Sequence, residues 1–147
     1  MVKIRKMQPE DAEKVALLEA ASFSMPWSVK DFVHVAEDPN SLYLVAEVQN
    51  EIIGCCGVTN ILGDGDINNV MVAEVYRGQK IASRMMEELL LRGSMLGIEN
   101  FTLEVRVSNA PAIRVYEKLG FKSEGIRPRF YEKPVEDAMI MWKRKAE

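Results

Sequence analysis

Residues 103–121 read LEVRVSNAPAIRVYEKLGF, and the change of rhythm inside this stretch decides the fold. From Phe101 the apolar residues Phe101, Leu103, Val105 and Val107 alternate with Thr102, Glu104 and Arg106, the period-2 pattern of a strand with one face inward. Ser108 and Asn109 then offer N-cap oxygens, Pro111 suits a first turn, and Gly120 ends a short helix over 109–120. FKSEGIRP (121–128) and VEDAMIMWKR (135–144) follow as two closing strands. A strand, a helix and a returning hairpin belong to a mixed α/β sheet.

The residues before this stretch extend the same architecture. YRGQKIA (76–82) leads into a helix to about Leu96, with Ile81, Met85, Leu89 and Leu96 on one apolar stripe and Gly97 at its end. LYLVAEV (42–48) and EIIGCCGVTNI (51–61) flank Gln49-Asn50, the pattern of an antiparallel hairpin. Gly63-Asp64-Gly65 is expected to turn the chain into a strand INNVMVA (67–73). Residues 2–6 alternate like a short strand. Pro9 opens a helix to about Ser22, with Ala12, Val15, Ala16, Leu18 and Glu19 on helical spacing, and Ser28 caps a second helix to about Ala36. The predicted order is β-α-α-β-β-β-α-β-α-β-β, an α/β fold in one domain, 1–147, with helices on both faces of the sheet.

Composition narrows the function. The 147 residues suffice for a core without disulfides or metal. The net charge of −3 argues against a nucleic-acid partner, which would need a basic face. No stretch approaches the ~20 apolar residues of a membrane span, and no signal core opens the chain, so no membrane partner and a cytoplasmic location are expected. Cys55 and Cys56 are strand neighbours that point to opposite faces, so they read as small core residues in a reducing compartment. His34, the one histidine, reads as surface or boundary; Met71, Met85, Met86, Met139 and Met141 read as packing.

Three places could carry chemistry, each with a plainer alternative. A helix start after a strand at 76–83 exposes N–H groups and about half a positive charge, enough to hold a diphosphate, and Arg77 and Lys80 add cations. The alternative is a helix start with two solvated cations. Glu104 could be a base, or one residue of a strand face that meets water. Tyr116 could be an acid, or a packing residue with its hydroxyl at the rim.

The combination of that helix start, LEVRVSNAPAIRVYEKLGF and a closing hairpin resembles the GNAT superfamily of acetyl-CoA-dependent N-acetyltransferases over nearly the whole chain. MPWS (25–28) and IRPRFYEKPVEDAMIM (126–141) resemble its RimI type, which acetylates the N-terminal alanine of a small-subunit ribosomal protein. The resemblance implies a GNAT-type sheet and acetyl-CoA as cosubstrate, with no metal. It implies a phosphate loop on Arg77, Gly78, Gln79, Lys80, Ile81, Ala82 and Ser83. Val70, Met71 and Val72 match the segment that pairs with the pantetheine arm, and Asn109 a CoA contact. Glu104 matches the general base and Tyr116 the general acid. Trp27, Arg129 and Tyr131 are expected to shape the groove for a protein N-terminus. Lys80 departs from the family pattern, which has glycine there. The competing readings are a GNAT acting on a small amine and a CoA-binding sensor without activity.

Overall fold

The structure, a computed structural model, describes residues 1–145. Its strands are β1 (Lys3–Lys6), β2 (Ser41–Val48), β3 (Glu51–Ile61), β4 (Asp64–Val72), β5 (Asn100–Arg106), β6 (Lys122–Tyr131) and β7 (Glu136–Lys143). The helices are α1 (Ala12–Ser22), α2 (Val29–Glu37), α3 (Ile81–Met95) and α4 (Ala110–Lys118). The expected order is therefore present, with two refinements at helix entries. Short 3₁₀ turns at Pro9–Asp11 and Glu74–Tyr76 precede α1 and α3. Ser28 caps α2, its hydroxyl accepting from the Asp31 amide.

Among the described residues the strands form one sheet in the order β1-β2-β3-β4-β5-β7-β6. Alternation sorts the side chains onto two layers. Tyr43, Val45, Cys55 and Met71 pack with Val15 of α1 and Phe32 and Val35 of α2. Leu42, Leu44, Cys56 and Val58 pack on the other face with Met85, Met86 and Leu89 of α3 and Tyr116 of α4. The two cysteines thus lie in different layers, both buried and unpaired, as period-2 geometry requires. Burial pushes both thiols up, so neither is a reactive thiolate. No helix among the described residues is long and apolar enough to cross a membrane.

Two features of β4 position the site. The turn into it is Leu62-Gly63, both at positive φ, so the strand starts at Asp64 rather than after Gly65 as the glycines suggest. Gly65 is buried against Val58, Ile98 and Phe101, so its missing side chain serves close packing and not a turn. Further along, Cys55 and Gly57 of β3 oppose Met71 and Asn68 of β4, which leaves one extra residue on β4. Asn69 takes φ +61 within this bulge.

Among the described residues the β4–β5 pairing is the one parallel join, and it is short. It runs from Asp64–Asn100 to Asp66–Thr102 and stops. Where it would continue, a cleft of about 850 Å³ opens between Ile67–Val70 and Leu103–Arg106.

Candidate active site

The alternation of β5 that buries Leu103 and Val105 turns Glu104 to the cleft, where it is partly buried. Burial raises the Glu104 carboxyl above its ordinary value; Arg127 opposes the rise and Asp66 adds to it. Its Oε2 is buried and makes no hydrogen bond among the described residues. The nearest cation is Arg127 Nη1 at 3.1 Å, an ion pair without hydrogen-bond alignment. Tyr116 reaches the cleft from α4. Its ring is buried against Phe121 and its hydroxyl is held protonated by burial. Asn109 caps α4, its Oδ1 accepting from Ala112 at 3.3 Å, and also lines the cleft.

The β6–β7 end forms one wall. Arg106 is fixed there by the carbonyls of Pro134 and Glu132, by Glu136, and by the Tyr131 ring 4.5 Å away. Tyr131 is half-buried and its hydroxyl is pushed up to about 12, chiefly by burial. Arg129, at φ +53, is exposed at the rim, its amide donating to Asp137.

The opposite wall is the α1–α2 loop, and here the structure shows what the sequence reading missed. Glu19 is a charged residue on the buried side of α1, 2% exposed. Its carboxylate accepts from the Trp27 amide and from Asn69 Nδ2, the latter at 2.7 Å. Asn69 Oδ1 in turn accepts from the Tyr43 hydroxyl at 2.7 Å. Tyr43 can lie there because Gly57 has no side chain; an added Cβ would sit 2.2 Å from the ring. The chain Tyr43–Asn69–Glu19–Trp27 ties the β4 bulge to the loop that carries Trp27. The signal was present as an acidic residue on the core-facing spacing of an otherwise apolar helix stripe.

Trp27, Val70, Glu104, Asn109, Tyr116, Arg129 and Tyr131, expected at the site, all line this cleft. Met71 and Val72 are buried in the strand beside it, and residues 77–83 lie outside its lining, at the start of α3. There Gly78 has φ +82 with open space where a Cβ would point. Lys80, N-cap of α3, adopts the left-handed φ 62, ψ 22, and its side chain does not cap the first N–H groups of the helix. Lys80 thus holds the conformation that glycine adopts without strain. Arg77 Nε donates to the Val72 carbonyl at 3.1 Å, which ties this turn to the end of β4.

Residues 12–121 match the family model described as "Acetyltransferase (GNAT) family". The chain belongs to the GNAT acetyltransferase family. It is 36% identical over 140 residues to a Bacillus subtilis protein provisionally named a [ribosomal protein bS18]-alanine N-acetyltransferase, covering 95% of this chain and 93% of that one. It is 31% identical over 142 residues to the Escherichia coli K12 [ribosomal protein bS18]-alanine N-acetyltransferase, with 94% of each covered. The crystal structure of the E. coli ribosomal-protein-S18-alanine N-acetyltransferase superposes with a TM-score of 0.91 at 27% identity, over all of this chain and 96% of that one. This GNAT chain is an acetyl-CoA-dependent N-acetyltransferase with the RimI-type fold. The uncapped start of α3 and the open space at Gly78 form the kind of backbone arrangement that can hold an anion.

Proposed function

We propose that this chain acetylates the α-amine of a protein N-terminus, an alanine on a small-subunit ribosomal protein, with Glu104 as general base and Tyr116 as general acid. The observation that carries the reading is Glu104, a partly buried carboxylate in the same cleft as a protonated tyrosine. The names of the E. coli and B. subtilis relatives support the alanine. The backbone of 78–83 and Asn109 would hold CoA, and Val70, Met71 and Val72 would flank the pantetheine arm. Acetyl-CoA brings the acetyl group as a reactive thioester.

The acceptor arrives as an ammonium and cannot attack until it loses a proton. Glu104 takes that proton, and burial brings its proton affinity closer to that of the amine. Backbone N–H groups near Val72 stabilise the charge that grows on the carbonyl oxygen. Tyr116 donates its proton to the leaving sulfur. Trp27, Arg129 and Tyr131 shape the groove for the peptide.

The energetics favour an α-amine. Its pKa is about 7.7–8.0 against about 10.4 for lysine, so at pH 7 deprotonation costs about 1 kcal/mol against roughly 4.6 kcal/mol. A single carboxylate base matches the smaller task. The test is a competition between a peptide with free N-terminal alanine and no lysine, and an N-blocked peptide with an internal lysine. The first should be acetylated far faster; equal rates, or preference for a polyamine, would overturn the N-terminal reading. Glu104→Gln should lower turnover on the order of a hundredfold, less at high pH where the amine deprotonates unaided.

A further inference from the structure

The geometry points to Arg127 as a mobile counter-ion that occupies, between turnovers, the place on Glu104 that the acceptor's ammonium takes during the reaction. This rests on Glu104 being the base.

The sheet register explains how the contact arises. On β5, β7 and β6, Glu104, Ile140 and Gly125 form one cross-strand row, and Arg106, Ala138 and Arg127 the next. Directly paired residues share a sheet face, as do residues two apart along a strand. Arg127 therefore stands on the face of Glu104, two strands away. Gly125 and the buried Ala138 leave that face low, so the long arginine can cross β7 and bring Nη1 to 3.1 Å from Oε2.

The two arginines of the second row are held very differently. Arg106 has two carbonyls, a carboxylate and an aromatic ring around it. Arg127 has Glu104 and the face of Phe130, 5.1 Å away, and its side chain is 53% exposed. Its side chain makes no hydrogen bond among the described residues, and the ladder beside it breaks between Arg127 and Tyr131. Its guanidinium can leave Glu104 with its own charge solvated, provided another cation takes its place on the carboxylate. Glu104 cannot do the converse, because its Oε2 is buried and unsatisfied.

An ammonium carries the same charge and three compact donors, so it can make the hydrogen bond that Arg127 does not. Exchange of one cation for the other keeps Glu104 paired throughout. In the step itself an N–H bond of the ammonium breaks and an O–H bond forms on Oε2. Of the two protons that leave nitrogen over the reaction, one balances the proton given to sulfur and the other passes to solvent as Arg127 returns. The charged or titratable groups around Glu104 are Arg127 and Tyr131 from β6, Asp66 from β4, Arg106 on the same face of β5 and Tyr116 of α4 in the same cleft. Without Arg127, burial and Asp66 act unopposed.

The experiment measures kcat/KM from pH 5 to 9 for the full chain, with acetyl-CoA and an N-terminal alanine peptide. In Arg127→Met the acid limb should move up by about one unit, a roughly tenfold loss on that side, with little change on the alkaline side. Arg127→Lys should restore the wild-type limb. The ¹³C titration of the Glu104 carboxyl, assigned by its absence in Glu104→Gln, should move with the limb. An unmoved limb and titration in folded Arg127→Met would overturn the proposal, as would a uniform loss at every pH or no rescue by lysine. If Glu104→Gln is impaired in the same assay while the limb stays put, the counter-ion alone fails. If Glu104→Gln is fully active, the base assignment falls with it.

Discussion

Lys80 shows how one residue can carry a loop's geometry without being the residue best suited to it. Its left-handed φ of 62° costs an L-residue roughly 1–2 kcal/mol, which glycine avoids. Glycine instead costs about 0.5–1 kcal/mol in unfolded-state freedom. Lys80→Gly should therefore leave stability unchanged or raise it by up to about 1 kcal/mol, and leave the acetyl-CoA KM nearly unchanged, because the backbone donors stay in place. Lys80→Val should lose about 1–2 kcal/mol, since β-branching tolerates this region least, and should weaken acetyl-CoA binding. Urea melts and acetyl-CoA KM values on the two variants check both. An unaffected Lys80→Val would mean that the turn at α3 does not depend on this conformation.

At the scale of elements, the Glu19 network decides whether the α1–α2 loop and the β4 bulge act as one wall. Glu19→Ala leaves the Trp27 amide and Asn69 Nδ2 without their acceptor, at about 2–4 kcal/mol for two donors and a cavity. Glu19→Gln should be far milder. Its oxygen still accepts from Trp27, and if the Asn69 amide rotates, its oxygen accepts from the new NH₂ while its own NH₂ meets the Tyr43 hydroxyl. The pH dependence separates the two forms of the side chain. Burial holds the Glu19 carboxyl above its ordinary value, so the folded chain binds this proton more tightly than the unfolded one. That contribution is fully present below the ordinary glutamate value and is lost as pH rises through the raised one. Across that window wild type should lose stability relative to Glu19→Gln, measured as a difference of melting temperatures; a constant difference would show that Glu19 does not titrate with folding.

The same network marks the boundary of what the sequence disclosed. The element order was legible because each strand and helix carries its own period, its cap or its glycine. Glu104, Asn109 and Tyr116 were legible because one motif spans their strand–cap–helix unit. Asn69 was not, because a bulge exists only relative to the partner strand, here the single β3 residue Cys56 that Asn69 and Val70 together oppose. Arg127 was not, because its reach to Glu104 depends on β7 entering between β5 and β6 and on the small residues of that row. The turn before β4 was misplaced because Gly65 looks like a turn glycine while its role is close packing in the core.

For the molecule as a whole, the cleft divides a sheet whose two halves share a three-residue ladder at one end. Below it the layer of α3 and α4 side chains is continuous, with Met86, Leu89, Leu103, Tyr116 and Met141 in one cluster. A ligand that reaches from the start of α3 to Asn109 touches both halves, so its binding should appear as global stability. At about a hundredfold excess over Kd the gain is about 2.7 kcal/mol. For a chain of this size, with melting shifting roughly 2–4 °C per kcal/mol, acetyl-CoA should raise the midpoint by about 5–10 °C. Gly78→Pro should forfeit much of that shift. Proline cannot take φ +82, and it removes the Gly78 N–H, so acetyl-CoA should bind at least roughly tenfold more weakly, about 1.4 kcal/mol. Scanning calorimetry of wild type and Gly78→Pro, each with and without acetyl-CoA at one fixed concentration, makes the comparison. If Gly78→Pro unfolds at a similar temperature without ligand yet keeps the full shift with it, the start of α3 does not hold the cofactor. No shift in wild type would mean that the two halves are not bridged across the cleft.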